Sequence, residues 1–262
     1  MSQINRYLTK IYSFIKPKNH IWLPNTIFPD DTFIVSYPKS GNTWVRFLLA
    51  NILKKNDETI DFYTVNKYVP EVFNHADIIR NMTRPRLLKS HAPYIPTYPR
   101  VIYIVRDGRD VYTSYYFHRL HQLPQGIMFL EFLQRNDHYP CLWGEHVSSW
   151  LFRKNLPSQL LVTRYENLKT NCLEELKRMV KFIGIKSTRN QLSLAIEDSS
   201  YLRMKQLEQE RGRPKSKGPK VFVRKGQIGD WKNYWESKEK KIFKSREGHV
   251  LLKLGYEVDN NW

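Results

Sequence analysis

The chain alternates short apolar segments of the strand type with longer segments whose apolar residues recur at helical spacing. Residues 32–37 form a short apolar segment rich in β-branched and aromatic residues and predict a first strand, and further strands are predicted at residues 86–90, 100–105 and 159–163. One apolar stripe predicts a helix after the first strand, through Val45, Leu48, Leu49, Ile52 and Leu53. Further helices are predicted from about Asp110 and around residues 173–183. The alternation predicts an α/β fold, a single domain over residues 1–262, with a central parallel sheet flanked by helices in three layers.

A phosphate-binding loop is predicted directly after the first strand, in the sequence YPKSGNTW at residues 37–44. Ligands of parallel sheets bind beyond the carboxyl ends of the strands, and the N–H groups at a helix N-terminus attract anions. Lys39 can reach an anionic oxygen, and Trp44 offers a ring face to a purine. Asn42 or Thr43 is expected to cap the helix. The segment is not a Walker motif, because its single glycine follows the lysine. The alternative is an ordinary strand-to-helix turn.

Two further segments combine cations with groups that suit an anion. Residues 106–118, RDGRDVYTSYYFH, place Arg106 at the end of the third strand and Ser114 on the following helix. Their alternative interpretation is a surface turn held by weak ion pairs. Residues 223–235, VRKGQIGDWKNYW, contain the adjacent residues Arg224, Lys225 and Gly226. Taken alone, that loop could equally contact nucleic acid.

The charge balance favours anionic partners, since 43 Lys and Arg stand against 25 Asp and Glu, a net charge of +18. Phosphorylated cofactors, nucleic acid, acidic sugars and membrane surfaces all fit. The two cysteines favour a reducing compartment and a cytoplasmic location. Residues 1–30 are predicted to form a basic amphipathic segment, which is expected either to pack on the core or to lie peripherally on a membrane. Residues 211–220, RGRPKSKGPK, are expected to form a mobile basic loop that closes over a ligand.

The three anion-binding segments together resemble the family of sulfotransferases that use 3'-phosphoadenosine 5'-phosphosulfate (PAPS). Residues 37–44 are similar to the family's 5'-phosphosulfate loop, residues 106–114 to its 3'-phosphate site, and residues 224–233 to its C-terminal cofactor loop. The resemblance implies a P-loop-like fold and transfer of a sulfuryl group from PAPS to an acceptor hydroxyl. PAP is then the product, and no metal is expected. The ending LLKLGYE is similar to short bacterial members, and nothing in the sequence fixes the oligomeric state.

The resemblance also implies roles for individual residues. His91, in LLKSHAPY after the second strand, matches the place of the family's catalytic general base. The implied charge-stabilising lysines are Lys39 and Lys89. The phosphosulfate is expected to contact Lys39, Ser40, Gly41, Asn42 and Thr43. Adenine is expected to contact Trp44, Tyr165, Ser199 and Tyr201; Ser199 stands where many members have Thr. The 3'-phosphate is expected to contact Arg106, Ser114, Arg224, Lys225 and Gly226.

The acceptor is left open as a carbohydrate, a glycolipid, or a small alcohol or phenol. The loops at residues 57–82 and 122–140 are expected to build its pocket, with lining aromatics drawn from Phe62, Tyr63, Tyr68, Phe73, Phe117, Phe129, Tyr139 and Trp143. Two alternative functions compete with the sulfotransferase. A nucleotide-dependent kinase needs a magnesium-binding hydroxyl and a partner carboxylate, for which the sequence offers no convincing set. A non-catalytic nucleic-acid-binding protein explains the charge but not three ordered anion motifs, so no nucleic acid partner is expected.

Overall fold

The computed structural model describes residues 24, 26–55, 57–156, 159–214 and 221–262. Most of the predicted N-terminal amphipathic segment, and residues 215–220 of the predicted mobile loop, lie outside this part of the chain. The helix before that loop ends at Arg211, so the predicted loop begins on a helical residue. No helix in the described ranges combines the length and apolarity needed to cross a bilayer.

A parallel sheet of four strands lies at the centre of the fold. The strands are β1 (Thr32–Ser36), β2 (Leu87–Ser90), β3 (Arg100–Val105) and β4 (Gln159–Arg164). Their spatial order is β2-β1-β3-β4, and every neighbouring pair is parallel. The four predicted strands and their parallel pairing are confirmed, with ends that shift by one residue in β1, β2 and β4.

Helices cover both faces of the sheet, as predicted. They are α1 (Asn42–Leu53), α2 (Val65–Tyr68), α3 (Ala76–Arg80), α4 (Gly108–Arg119), α5 (Phe129–Gln134), α6 (Trp143–Leu151), α7 (Tyr165–Thr170), α8 (Cys172–Ile183), α9 (Arg189–Asp198), α10 (Tyr201–Arg211) and α11 (Ser237–Leu254). Short 3-10 helices occupy Leu120–Gln122 and Asp230–Asn233. The helix predicted from about Asp110 begins at Gly108, because Asp107 caps it by accepting a hydrogen bond from the Arg109 N–H.

The alternating side chains of the two central strands build a separate apolar core on each face. Phe33 and Tyr103 belong to the cluster that packs against α4, α6 and α11. Ile34 and Ile102 belong to the cluster that packs against α1, α8 and α9. All four side chains are fully buried, as expected for strands covered on both faces. The three-layer prediction is therefore confirmed. Because β1, β2 and β3 are parallel, the loops that follow them lie at the same edge of the sheet.

Candidate functional site

One cavity of about 480 Å³ opens at the carboxyl edge of the sheet. Its wall contains every predicted site residue except Ser40, namely Lys39, Gly41, Asn42, Thr43, Trp44, Lys89, His91, Arg106, Ser114, Tyr165, Ser199, Tyr201, Arg224, Lys225 and Gly226. Ser40 is buried beneath the loop, and its N–H donates to the Tyr37 carbonyl at 3.3 Å. Residues that are up to 187 positions apart between Lys39 and Gly226 therefore share one site.

The turn between β1 and α1 relies on two left-handed residues. Gly41 has a φ of 99°, and Lys39, with a φ of 70°, is the one non-glycine residue with a positive φ among those described. Gly41 is the N-cap of α1, and no side chain caps that helix. The prediction that Asn42 or Thr43 caps it was wrong. The Asn42 amide instead donates to the Ile34 carbonyl at 3.1 Å and to Ser36 Oγ at 3.2 Å, which fastens the helix start to the sheet. The first turn is left uncapped by side chains, and its N–H groups can serve an anion.

Replacing Gly41 with Ala is expected to destabilise the fold by more than its backbone strain alone. A Cβ there would lie 2.6 Å from Tyr165 Cδ2, in addition to the cost of about 1–2 kcal/mol for a left-handed L-residue. Gly184→Ala is the matched control, since Gly184 has a φ of 85° and no atom within 4 Å of its Cβ position. Urea denaturation should show a larger loss for Gly41→Ala, by about 1–3 kcal/mol. Equal losses would contradict the close approach of Tyr165.

Arg106 connects the loop after β1 with the C-terminal loop. Its Nη1 donates to the Lys39 carbonyl at 3.1 Å, and its Nη2 donates to the Gln227 carbonyl at 2.8 Å. The guanidinium lies 4.2 Å from the centre of the Tyr165 ring. Its Nε is buried and has no hydrogen-bond partner in the described part of the chain. The interpretation of this segment as a weak surface turn is wrong, since Arg106 and Asp110 are both buried.

Asp110, on α4, holds the C-terminal loop in place. Its carboxylate accepts from the N–H of Gly229 at 2.8 Å and from the N–H of Trp231 at 3.0 Å. Two tyrosine hydroxyls fasten the same loop: Tyr165 donates to the Gly226 carbonyl at 3.0 Å, and Tyr201 to the Arg224 carbonyl at 2.8 Å. Both tyrosines therefore shape the loop backbone as well as line the cavity.

The two cations of the C-terminal loop share one carboxylate. Arg224 Nη2 lies 2.6 Å from Asp230 Oδ2, and Lys225 Nζ lies 2.9 Å from Asp230 Oδ1. Asp230 lies behind the loop and is not part of the cavity wall. This pairing orients both cations, so that a ligand does not have to order them.

The predicted adenine contacts differ in how accessible they are. Trp44 lies on the wall with its ring centre 5.8 Å from that of Tyr165, in an edge-to-face arrangement. Ser199 is fully buried, and its Oγ accepts a hydrogen bond from Asn51 Nδ2 at 3.0 Å. The exposed ring face at this end of the cavity is therefore that of Trp44, beside Lys169, whose Nζ lies 5.7 Å from the Trp44 ring.

Lys39 is buried among other cations. Burial and the charges of Arg106, Arg213 and Arg224 lower the pKa of Lys39 to about 7. Its Nζ lies 4.1 Å from the centre of the Phe222 ring. An anion bound here relieves this repulsion, so the site favours anions through the same physics that depresses the pKa.

His91 is held in one tautomer by the first strand. Its Nδ1 lies 2.6 Å from the Ser36 carbonyl, which can only accept, so Nδ1 carries the hydrogen and Nε2 keeps a lone pair. Burial, and then the charge of Lys89, lowers the pKa of His91 to about 3, so the ring is neutral. Lys89 Nζ itself donates to Glu71 Oε1 at 2.5 Å. Glu71, which was not predicted from the sequence, therefore lies beside two of the three predicted catalytic residues, Lys89 and His91.

A sulfotransferase domain model matches residues 29–247 of this chain. The chain belongs to the sulfotransferase family. It is 30% identical to sulfotransferase 1E1 of Bos taurus over 233 residues, which cover 79% of this chain and 78% of the relative. It is 31% identical to sulfotransferase 1B1 of Mus musculus over 237 residues, with the same two coverages of 79% and 78%.

Solved structures of this architecture agree with the fold. Mouse sulfotransferase SULT7A1 complexed with PAP superposes with a TM-score of 0.67 at 23% identity, covering 88% of each chain. Retinol dehydratase in complex with androsterone and PAP superposes with a TM-score of 0.66 at 18% identity, covering 96% of this chain and 94% of that one. The protein is therefore a PAPS-dependent sulfotransferase with a P-loop-like fold, as the sequence predicted. The kinase and the non-catalytic nucleic-acid-binding protein are excluded as its function.

The sulfotransferase also exposes cavity residues that sequence reasoning missed. They are Pro38, Tyr115, His118, Arg119, Gln122, Lys169, Met204, Phe222, Val223 and Gln227. The sequence could have indicated two of them, His118 and Arg119, because each lies one helical turn after Ser114 or Tyr115 and therefore on the same face of the helix. Of the eight aromatics predicted to line the acceptor pocket, Tyr139 alone reaches this cavity. Trp143 is fully buried in the core, so that prediction was wrong.

The charge of the wall is one-sided. Its Lys and Arg residues are Lys39, Lys89, Arg106, Arg119, Lys169, Arg224 and Lys225, and no Asp or Glu of the described chain lines it. A cleft lined by one sign of charge concentrates ligands of the opposite sign. Within the described ranges, no group of three His, Cys, Asp or Glu residues is arranged to hold a metal ion.

Proposed function

We propose that this sulfotransferase moves the sulfuryl group by in-line transfer to the hydroxyl of a small-molecule or glycan acceptor, with His91 as the general base. The observation that carries the proposal is the His91 ring, fixed through Nδ1 to Ser36 with Nε2 free on the wall of a cationic cavity. Ser36, whose carbonyl accepts from the His91 ring, is only three residues before Lys39 in the sequence. The proposed base and this cation are therefore held by the same short segment of the chain.

The wall fits a donor with anionic groups at both ends. We assign the 3'-phosphate to Arg106, whose buried Nε has no partner among the described residues, together with Ser114, Arg224, Lys225 and the Gly226 backbone. Lys39 and the uncapped first turn of α1 suit the phosphosulfate. Trp44 offers the ring face for adenine. Each group thus has a separate set of residues in the same cavity.

The residues supply a proton acceptor and charge stabilisation. PAPS supplies the sulfuryl group and leaves as PAP. His91 Nε2 accepts the proton of the acceptor hydroxyl as the new oxygen–sulfur bond forms. Glu71 stabilises the imidazolium, because its charge favours the protonated ring. Lys39 stabilises the negative charge on the departing oxygen, and Lys89, paired with Glu71, keeps that carboxylate in place.

The acceptor class and location are carried over with the family. Retinol dehydratase has been solved in complex with androsterone and in complex with retinol. These complexes support a small organic alcohol as one class of acceptor here. Cys141 and Cys172 are free, and burial raises the pKa of both thiols, which makes them unreactive. Free thiols support the cytoplasmic location expected from the sequence.

Lys39 is expected to take up a proton when PAP binds at pH 8. Its pKa of about 7 leaves it mainly neutral there, and a bound anion raises that pKa, so the complex holds the extra proton. Calorimetry in two buffers of different ionisation enthalpy measures the number of protons taken up when PAP binds. The wild type should take up about one proton more than Lys39→Met. Lys232→Met, on an exposed lysine, is the control. Equal uptake in wild type and Lys39→Met would contradict the buried, depressed lysine.

Transfer from sulfur-labelled PAPS to a panel of phenols, alcohols and sugars tests the proposed function. We expect label in at least one hydroxyl acceptor, retained with a chelator and lost in Lys39→Met but not in Lys232→Met. Absence of transfer to the whole panel by a protein that binds PAP would overturn the proposed acceptor classes.

A further inference from the structure

The last turn of α4 carries two side chains, His118 and Arg119, that the proposed donor contacts do not use. Helix α4 places Ser114, Tyr115, His118 and Arg119 on the cavity wall. Ser114 belongs to the proposed 3'-phosphate site, and His118 and Arg119 lie on the same wall one helical turn further along α4. The centre of the His118 ring lies 5.8 Å from that of the Phe222 ring, which Lys39 also contacts. In the proposed arrangement, this last turn of α4 lines the space left for the acceptor.

Of the seven Lys and Arg residues on the cavity wall, six have a proposed role or a partner. Four serve the proposed donor sites: Lys39, Arg106, Arg224 and Lys225. Lys89 is neutralised by Glu71 at 2.5 Å, and Lys169 lies at the opposite end, over the Trp44 ring. The remaining cation is Arg119. It is half-buried, and its guanidinium has no hydrogen bond or ion pair with any residue that the structure describes.

His118, in the same turn, also has a polar atom without a partner among the described residues. Its Nδ1 is buried and has no hydrogen-bond partner within the described residues. Burial, and then the charges of Lys39 and Arg213, lower the pKa of His118 to about 3. A buried polar atom without a partner costs free energy that a suitable ligand atom recovers. Beside an unpaired guanidinium and without a carboxylate on the wall, the suitable atom is an anionic oxygen.

We propose that the preferred acceptor bears an anionic group, a carboxylate, sulfate or phosphate, which Arg119 and His118 bind while its hydroxyl faces His91. The inference rests on the proposed function, because it assumes that the donor occupies the Lys39 and Arg106 side of the cavity. It distinguishes this enzyme from one built for a steroid or retinol, which offers no charge to Arg119. Arg119 and His118 are then specificity-determining residues rather than catalytic ones.

Binding to the PAP-saturated protein tests the inference without requiring turnover. The probes are 4-hydroxybenzoate and 3-(4-hydroxyphenyl)propanoate, each compared with its methyl ester, which keeps the shape and removes the charge. Calorimetry should show about tenfold tighter binding of at least one acid than of its ester, which is the low end of the range for one hydrogen bond to a charged group. PAP saturation keeps the probes out of the donor site.

Arg119→Met is expected to abolish the difference between acid and ester, with the affinities for PAP and for the esters unchanged. Arg80→Met, on an exposed arginine of α3, is the matched control and keeps the difference. Equal affinity of acid and ester, binding of neither, or an acid preference that survives Arg119→Met overturns the inference. Failure of PAP itself to bind, measured first in the same titration, would instead overturn the proposed function.

Discussion

Arg106→Ala should weaken PAP binding by about 100-fold or more, which corresponds to about 2.8 kcal/mol. Two effects add. The variant removes a buried cation from the proposed 3'-phosphate site, where hydrogen bonds to charged groups contribute about 1.5–3 kcal/mol each. It also removes the bridge between the carbonyls of Lys39 and Gln227, at 3.1 and 2.8 Å, so the two ligand-binding loops lose their common anchor.

Calorimetry of PAP binding measures this loss, and two controls interpret it. Arg80→Ala, which removes an exposed arginine, should leave the PAP affinity unchanged. Arg106→Lys keeps the charge but cannot donate to both carbonyls and to a phosphate, and should fall between wild type and Arg106→Ala. A wild-type affinity in Arg106→Ala would exclude Arg106 from the donor site.

His91→Gln should lower kcat by about 100- to 10,000-fold while PAP affinity stays within about twofold of wild type. Gln keeps an amide that can donate to the Ser36 carbonyl, but it cannot accept a proton at neutral pH. The ring lies outside the proposed phosphate and adenine sites, so the donor should still bind. The loss therefore belongs to kcat rather than to donor affinity.

His249→Gln, on the exposed face of α11, is the control for His91→Gln and should retain full activity. Transfer rates under saturating PAPS, once an acceptor has been identified, provide the measurement. A kcat in His91→Gln close to that of wild type would show that another group takes the proton.

The fold could be predicted from the sequence because its strands are short, buried and separated by amphipathic helices. Phe33 and Ile34 point to opposite faces, yet both are apolar, which is typical of a strand covered on both sides. The predicted ends of β1, β2 and β4 differ from the observed ends by one residue, since hydrogen bonding rather than composition decides where a strand ends. Tyr37, for example, extends the apolar pattern of β1 but lies past its last paired residue.

Two segments of the proposed donor site could be predicted because they directly follow β1 and β3, whereas the C-terminal loop at residues 224–233 follows no strand and was indicated by its sequence alone. The helix cap was predicted wrongly, since capping propensity is local and Asn42 is taken up by the Ile34 carbonyl eight residues before it. His118 and Arg119 were missed although they follow Ser114 and Tyr115 by one helical turn, because Ser114 alone was assigned to the site on that helix. The ion pair of Glu71 with Lys89 likewise depends on a tertiary contact between a loop and β2.

The most direct test of this account is calorimetric binding of PAP and of ATP to the wild-type protein without magnesium. Tight PAP binding and weak ATP binding are expected, because Arg106, Arg224 and Lys225, which line the cavity, are proposed to bind a 3'-phosphate that ATP lacks. ATP binding as tight as that of PAP, or ATP binding that requires magnesium, would contradict the assignment of the cavity to PAPS.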